Sequence, residues 1–144
     1  MYHALTEAKK AQKKGEIPVG AVIVREGKIL SRGHNQPIKL NDPTAHAEIT
    51  AMRRAGLKRK NYRLADCDLY VTLEPCAMCL GAVVQARIRR LIFGAYDPKS
   101  GAVRSIMRFP FAKINHQPEI NGGVLAEECA QILQDFFRAK RRKT

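Results

Sequence analysis

Two short segments, thirty residues apart, constrain the fold of this chain more than any other part of its sequence. The first is Pro43-Thr44-Ala45-His46-Ala47-Glu48, and the second is Pro75-Cys76-Ala77-Met78-Cys79. His46, Cys76 and Cys79 supply one nitrogen and two sulfur donors, a set that zinc prefers. If these residues bind one metal ion, the fold has to bring the two segments together.

The number of ligands favours a catalytic metal. Three protein ligands leave the fourth tetrahedral position to water, and bound zinc lowers the pKa of that water to about 7. Glu48 follows His46 by two residues and is close enough to carry a proton of the same water. The residues therefore predict a hydrolytic enzyme, with Glu48 as its proton carrier.

Local signals place these ligands near two helix starts. Asp42-Pro43 reads as an N-cap followed by a first helical residue, and Pro75 fits the first position of a second helix. Cys76 and Cys79 are three residues apart and would share a helical face. The positive end of a helix favours the thiolate form that zinc requires.

Each feature taken alone has a common structural explanation. An isolated Cys-x-x-Cys is more often a structural zinc site or a redox pair, and a Glu in a first helical turn usually compensates the helix dipole. The combination H-x-E…P-C-x-x-C is instead the signature of zinc-dependent nucleobase deaminases. A non-catalytic zinc-stabilised RNA-binding module remains an alternative and would need a fourth ligand. The candidates for that ligand are His34, Cys67, His116 and Cys129.

The charge favours a polyanionic partner. The chain has 26 Lys and Arg against 13 Asp and Glu, a net charge of +13. A small neutral nucleoside requires no such field, whereas phosphate contacts release counterions and steer association. Phe136 and Phe137 precede a basic run, residues 138–143, and aromatic side chains stack on unpaired bases. Solubility alone could explain part of the charge, and a deaminase of free cytidine or guanine remains a second alternative.

Length and composition predict one domain, residues 1–144, in the cytoplasm. No apolar run approaches the roughly 20 residues of a membrane span, and Met1-Tyr2-His3 opens no signal peptide. Cys67 and Cys129 give no disulfide framework.

Hydrophobic periodicity predicts alternating helices and strands. Helices are predicted over 2–14, from Pro43 to about Ala55 with its end at Gly56, over 77–86, and after Gly122-Gly123. Strands are predicted over 19–24, 29–33, 69–73 and 91–95, with a Glu26-Gly27 hairpin turn. The strand–helix–strand order of the last two predicts a parallel crossover. The pattern between 104 and 121 is weak.

With these motifs the chain resembles the bacterial tRNA-specific adenosine deaminases, which convert the wobble adenosine of an arginine tRNA to inosine. The likeness covers nearly the whole chain, including residues 15–21, 42–48, 70–76, 97–101 and 136–138. The metal motif alone marks the wider cytidine deaminase superfamily. The Asp-Pro-Lys loop and the Phe-Phe-Arg helix end narrow the resemblance to the tRNA branch.

The resemblance implies a role for each matching residue. It implies one zinc ion per subunit on His46, Cys76 and Cys79, with Glu48 transferring protons during attack on C6 of adenine. It implies the following substrate contacts: Asn35 to the extruded base, Val19 and Pro37 as apolar walls, Asp97 and Lys99 to flanking nucleotides, and Phe137, Arg138 and Arg141 to the anticodon stem-loop. It further implies a homodimer and an α/β, three-layer cytidine-deaminase-like fold, with a five-stranded mixed sheet flanked by helices.

Overall fold

A five-stranded mixed sheet lies between helices in this computed structural model, which describes residues 1–143. The helices are α1 (Tyr2–Lys13), α2 (Pro37–Leu40), α3 (Ala47–Arg59), α4 (Ala77–Ala86) and α5 (Ala126–Lys143). The strands are β1 (Gly20–Arg25), β2 (Lys28–His34), β3 (Cys67–Leu73), β4 (Arg90–Ala95) and β5 (Glu119–Asn121).

The strand order is β2-β1-β3-β4-β5, with β1 antiparallel to β2 and β3, and with β3, β4 and β5 parallel. The predicted hairpin is confirmed, since Glu26 and Gly27 both have positive φ, 51° and 75°, as a tight two-residue turn requires. The predicted parallel crossover through α4 is also confirmed. The five-stranded, mixed α/β fold is therefore the one that the family resemblance implies, and the sequence pattern predicts four of its strands.

The helices cover both faces of the sheet. Successive residues of a strand point to opposite faces. At Gly33 of β2, an added Cβ would lie 2.6 Å from the Ala47 carbonyl oxygen of α3. The next residue, His34, contacts Glu7 of α1 on the other face. Because Gly33 has no side chain, α3 packs close enough to β2 to deliver its N-terminus to the sheet edge.

The first helical residues predicted at Pro43 and at Pro75 are both wrong, although α4 spans the predicted residues 77–86. Asp42 does not cap α3, because its carboxylate accepts bonds from the Thr44 amide at 2.8 Å and the Thr44 hydroxyl at 2.7 Å. This local turn competes with helix formation, so that His46 becomes the N-cap of α3. Cys76 likewise is the N-cap of α4, and Pro75 precedes the helix instead of starting it.

The end of α3 also differs from its prediction. The helix continues through Gly56 to Arg59, and Lys60 closes it in the left-handed conformation. A glycine inside a helix costs about 1 kcal/mol, which the hydrogen bonds of a further turn offset. The short helix α2 and strand β5 lie in segments where no element was predicted, since four and three residues are too few to show a period. None of the helices within residues 1–143 combines the length and apolar character that a membrane crossing demands.

Candidate active site

The three predicted metal ligands come together where α3 and α4 begin. His46 Nδ1 lies 3.5 Å from Cys79 Sγ and 3.7 Å from Cys76 Sγ. Tetrahedral zinc, with bonds of about 2.05 Å to nitrogen and about 2.3 Å to sulfur, separates these donor atoms by about 3.6 Å. The donor set and its spacing therefore fit zinc.

No fourth protein ligand joins this group within residues 1–143. The four residues that the non-catalytic alternative offers as a fourth zinc ligand are not part of this group. His34 Nδ1 lies 3.4 Å from Glu7 Oε1, His116 Nε2 lies 2.7 Å from the Ile88 carbonyl oxygen, and Cys67 and Cys129 are buried in the core. The arrangement is that of a three-ligand site.

The electrostatics of the group favour a thiolate. Hydrogen bonds from Cys79 and His46 lower the pKa of Cys76 to about 4, although burial opposes this shift. The hydrogen bond with Cys76 raises the pKa of His46, again against the effect of burial. The hydrogen bond with Cys76 and burial both raise the pKa of Cys79. Both cysteines also lie in the first turn of α4, where the helix dipole favours negative charge.

Glu48 lies beside this group in the first turn of α3. Its side chain is buried, and burial raises the pKa of its carboxyl group above the usual value. A carboxyl group whose charged form is disfavoured takes up protons more readily, which suits a proton carrier at neutral pH. Two of the metal ligands, His46 and Cys76, thus line one cleft together with the proton carrier Glu48.

The cleft has a volume of about 750 Å³ and runs from the metal ligands to α5. Ten of the residues predicted for the site line it: Val19, Asn35, His46, Glu48, Cys76, Asp97, Lys99, Phe137, Arg138 and Arg141. Cys79 is fully buried behind the cleft wall. Pro37 is not among the lining residues and begins the short helix α2.

Asn35 is fixed in the cleft wall. Its side-chain Oδ1 accepts a hydrogen bond from the Ala47 backbone amide at 2.8 Å, and the backbone amide of Asn35 donates to the Val19 carbonyl oxygen at 3.1 Å. The first bond occupies the acceptor end of the side-chain amide, which leaves Nδ2 as the end that can donate to a ligand.

Asp97 and Lys99 stand on the loop after β4. The Asp97 carboxylate accepts hydrogen bonds from the Lys99 amide at 3.0 Å and from the Ser100 hydroxyl at 2.8 Å. The ammonium group of Lys99 lies 6.0 Å from the centroid of the Phe137 ring. The loop therefore meets α5 and closes the outer side of the cleft.

Sequence reasoning missed several residues of the cleft, of which Glu74 is the most informative. It is 2% exposed, lines the cleft and accepts hydrogen bonds from the loop that carries Asp97 and Lys99. The signal was available as an acidic residue directly between a buried strand and the Pro-Cys motif. Ile17, Leu73 and Tyr96 also line the cleft and lack any distinguishing sequence pattern.

Comparisons with known proteins show the family of this chain. A family model of MafB19-like deaminases matches residues 1–141. The tRNA-specific adenosine deaminase of Haemophilus influenzae is 52% identical, over 99% of this chain and 84% of that protein. A solved structure from a study of A-to-I editing by tRNA:A34 deaminases at the wobble position has a TM-score of 0.87 and 48% identity, covering 90% of this chain and 95% of the other.

A more distant solved structure shows how widely the fold is used. The guanine deaminase of Nitrosomonas europaea superimposes with a TM-score of 0.79 at 21% identity, covering 94% of this chain and 81% of the other. At that identity the likeness supports the fold alone.

Proposed function

Since this chain belongs to the tRNA-specific adenosine deaminases, within the MafB19-like deaminase family, we propose that it deaminates the wobble adenosine of an arginine tRNA to inosine. The observation that carries the proposal is a three-ligand His-Cys-Cys group beside a buried carboxylate in one cleft. The net charge of +13 supports a polyanionic substrate over a free nucleoside or base.

In this proposal His46, Cys76 and Cys79 hold one zinc ion per subunit. Zinc bound there would lower the pKa of a water molecule to about 7 and so would supply hydroxide at neutral pH. Glu48 accepts the proton from that water as the oxygen adds to C6 of adenine, and it passes the proton to the ring nitrogen. Glu48 then moves the remaining proton of that water, now on the C6 hydroxyl group, to the amino group. The C6–N bond breaks, and the amino group leaves as ammonia.

The remaining cleft residues bind the substrate. Asn35 donates a hydrogen bond to the extruded base, and Val19 provides an apolar wall; Pro37, predicted as a second wall, lies outside the cleft lining. Unpaired bases of a hairpin loop are extruded at lower cost than bases in a duplex. In the proposal Asp97 and Lys99 meet the flanking nucleotides, and Phe137, Arg138 and Arg141 support the anticodon loop. The enzyme acts as a homodimer of single-domain subunits in the cytoplasm.

Incubation with a transcribed arginine tRNA, followed by sequencing, tests the proposal. We expect an adenosine-to-inosine change at the wobble position and no change at other adenosines. A matched transcript with guanosine at the wobble position is the substrate control, and free cytidine and guanine are tested in parallel. Absence of inosine from a folded, zinc-loaded preparation would contradict the proposal, as would faster turnover of either free compound.

A further inference from the structure

Beneath the outer wall of the cleft lies a buried carboxylate that has no part in the proposed chemistry. Glu74 follows β3 and precedes the Pro75-Cys76 segment, and its side chain is 2% exposed. Burial of a charged carboxylate costs free energy unless hydrogen bonds from the protein replace those that it makes to water. The bonds to Glu74 come from one loop, residues 97–105, which we name the cleft loop.

Both oxygens of the carboxylate bind the cleft loop. Oε2 accepts from the backbone amides of Val103 at 3.0 Å, Arg104 at 2.9 Å and Ser105 at 3.1 Å. Oε1 accepts from the backbone amide of Asp97 at 3.0 Å and from the Ser105 hydroxyl. One side chain therefore fastens both ends of the loop to the segment that carries a metal ligand.

The first of these ends leads directly to the outer wall. Glu74 fixes the backbone of Asp97, and the Asp97 carboxylate in turn fixes the Lys99 amide at 3.0 Å. Lys99 then reaches the Phe137 ring of α5. A Cβ at Gly101 would collide with the Glu74 carboxyl group, so glycine at this position lets the loop approach the carboxylate closely.

We propose that Glu74 is a positioning residue that sets how strongly the enzyme recognises the bases flanking the target adenosine. This inference rests on the proposed function, in which Asp97 and Lys99 contact those nucleotides. Glu74 is not one of the metal ligands, and both of its carboxylate oxygens are bound by the cleft loop, so it acts through the shape of that loop. Its removal therefore affects recognition of the flanks more than the chemical step.

The variant Glu74→Gln tests this inference. Glutamine has the same shape but offers a single acceptor oxygen. If that oxygen keeps the three amides at Oε2, the NH₂ group faces the Asp97 amide and repels it. The measurement is kcat/KM for an anticodon stem-loop and for the same RNA with abasic sites on both sides of the target. We expect KM for the intact RNA to rise about tenfold, with kcat changed by less than about threefold. We expect the ratio of kcat/KM for the intact RNA to kcat/KM for the abasic RNA to fall about tenfold.

Two further variants keep the test decisive. Glu26→Gln makes the same chemical change at an exposed hairpin turn, where the side chain is 79% exposed, and should leave the ratio unchanged. Ser105→Ala removes only the hydroxyl donor and should lower the ratio by a smaller factor, and it decides the question if Glu74→Gln does not fold. A merely structural role would reduce the active fraction and kcat on both RNAs equally.

The outcomes separate the two proposals. An unchanged ratio in Glu74→Gln and Ser105→Ala, with an active wild-type enzyme, would overturn the inference about Glu74. A wild-type enzyme that deaminates neither RNA would instead refute the proposed function.

Discussion

The substitution Glu48→Gln is the sharpest perturbation of the proposed chemistry. Glutamine fills the volume of glutamate and starts the same helix, but it cannot exchange a proton at neutral pH. Glu48 is 4% exposed, and removal of a buried charge relieves a desolvation cost. We therefore expect the zinc content to be kept and the free energy of unfolding to fall by less than about 1 kcal/mol.

The size of the kinetic loss follows from the number of proton transfers. A single general acid or base contributes about 10²–10⁴ in rate, and in this proposal one carboxylate serves both transfers. Because Glu48 is buried, bulk water replaces it poorly. The expected loss in kcat is about 10⁴-fold, which corresponds to about 5 kcal/mol in the activation free energy.

Single-turnover formation of inosine in an anticodon stem-loop, with the enzyme in saturating excess, measures this loss, and zinc content and Tm are recorded on the same preparations. Glu119→Gln, at an exposed position of β5, is the matched control and should retain the wild-type rate. A rate for Glu48→Gln within about tenfold of wild type would refute the proton-carrier role. Loss of zinc from the variant would refute the claim that only proton transfer is removed.

Three further predictions concern stability and RNA binding. Asp68→Asn should lower the free energy of unfolding by about 1–3 kcal/mol in urea titrations at pH 7, because it replaces the ion pairs of a buried carboxylate with Arg89 and Arg90 by weaker hydrogen bonds. Burial acts to raise the pKa of Asp68, but hydrogen bonds from its arginine partners outweigh it and lower the pKa, so this stabilisation is present above about pH 4 and is lost as the pH falls through the folded-state pKa. Gly33→Ala should lower Tm and cost about 1–3 kcal/mol, since the new Cβ would lie 2.6 Å from the Ala47 carbonyl oxygen; an unchanged Tm would contradict this. Arg138→Ala with Arg141→Ala should weaken tRNA binding and lower the slope of log K against log salt by about one unit per lost phosphate contact; an unchanged slope would argue against contact with the RNA.

Sequence reasoning predicted the metal ligands of the site, because the chemistry of the metal restricts which residues can bind it. Zinc accepts few donor types, so His46, Cys76 and Cys79 could be paired across thirty residues before any fold was known. Strands β1 to β4 were predicted because their apolar runs are continuous. The hairpin turn at Glu26 and Gly27 follows from the backbone conformation that glycine permits.

The remainder depends on competition between local and tertiary interactions. The Asp42 carboxylate could cap a helix or form a turn with Thr44, and the sequence does not say which bond forms. The sequence shows Glu74 only as an acidic residue between a buried strand and the Pro-Cys motif, and its hydrogen bonds to the cleft loop form only in the folded protein. Strand β5 has only three residues, and its place in the sheet is set by pairing with β4 instead of by its own pattern.

X-ray absorption spectroscopy of the zinc-loaded enzyme tests the central claim most directly. We predict a first coordination shell of two sulfur atoms, one imidazole nitrogen and one oxygen from solvent, at about 2.3 Å for sulfur and about 2.0–2.1 Å for the lighter atoms. A shell completed by a third sulfur or a second imidazole would mean four protein ligands, and the proposed source of the attacking oxygen would then be wrong.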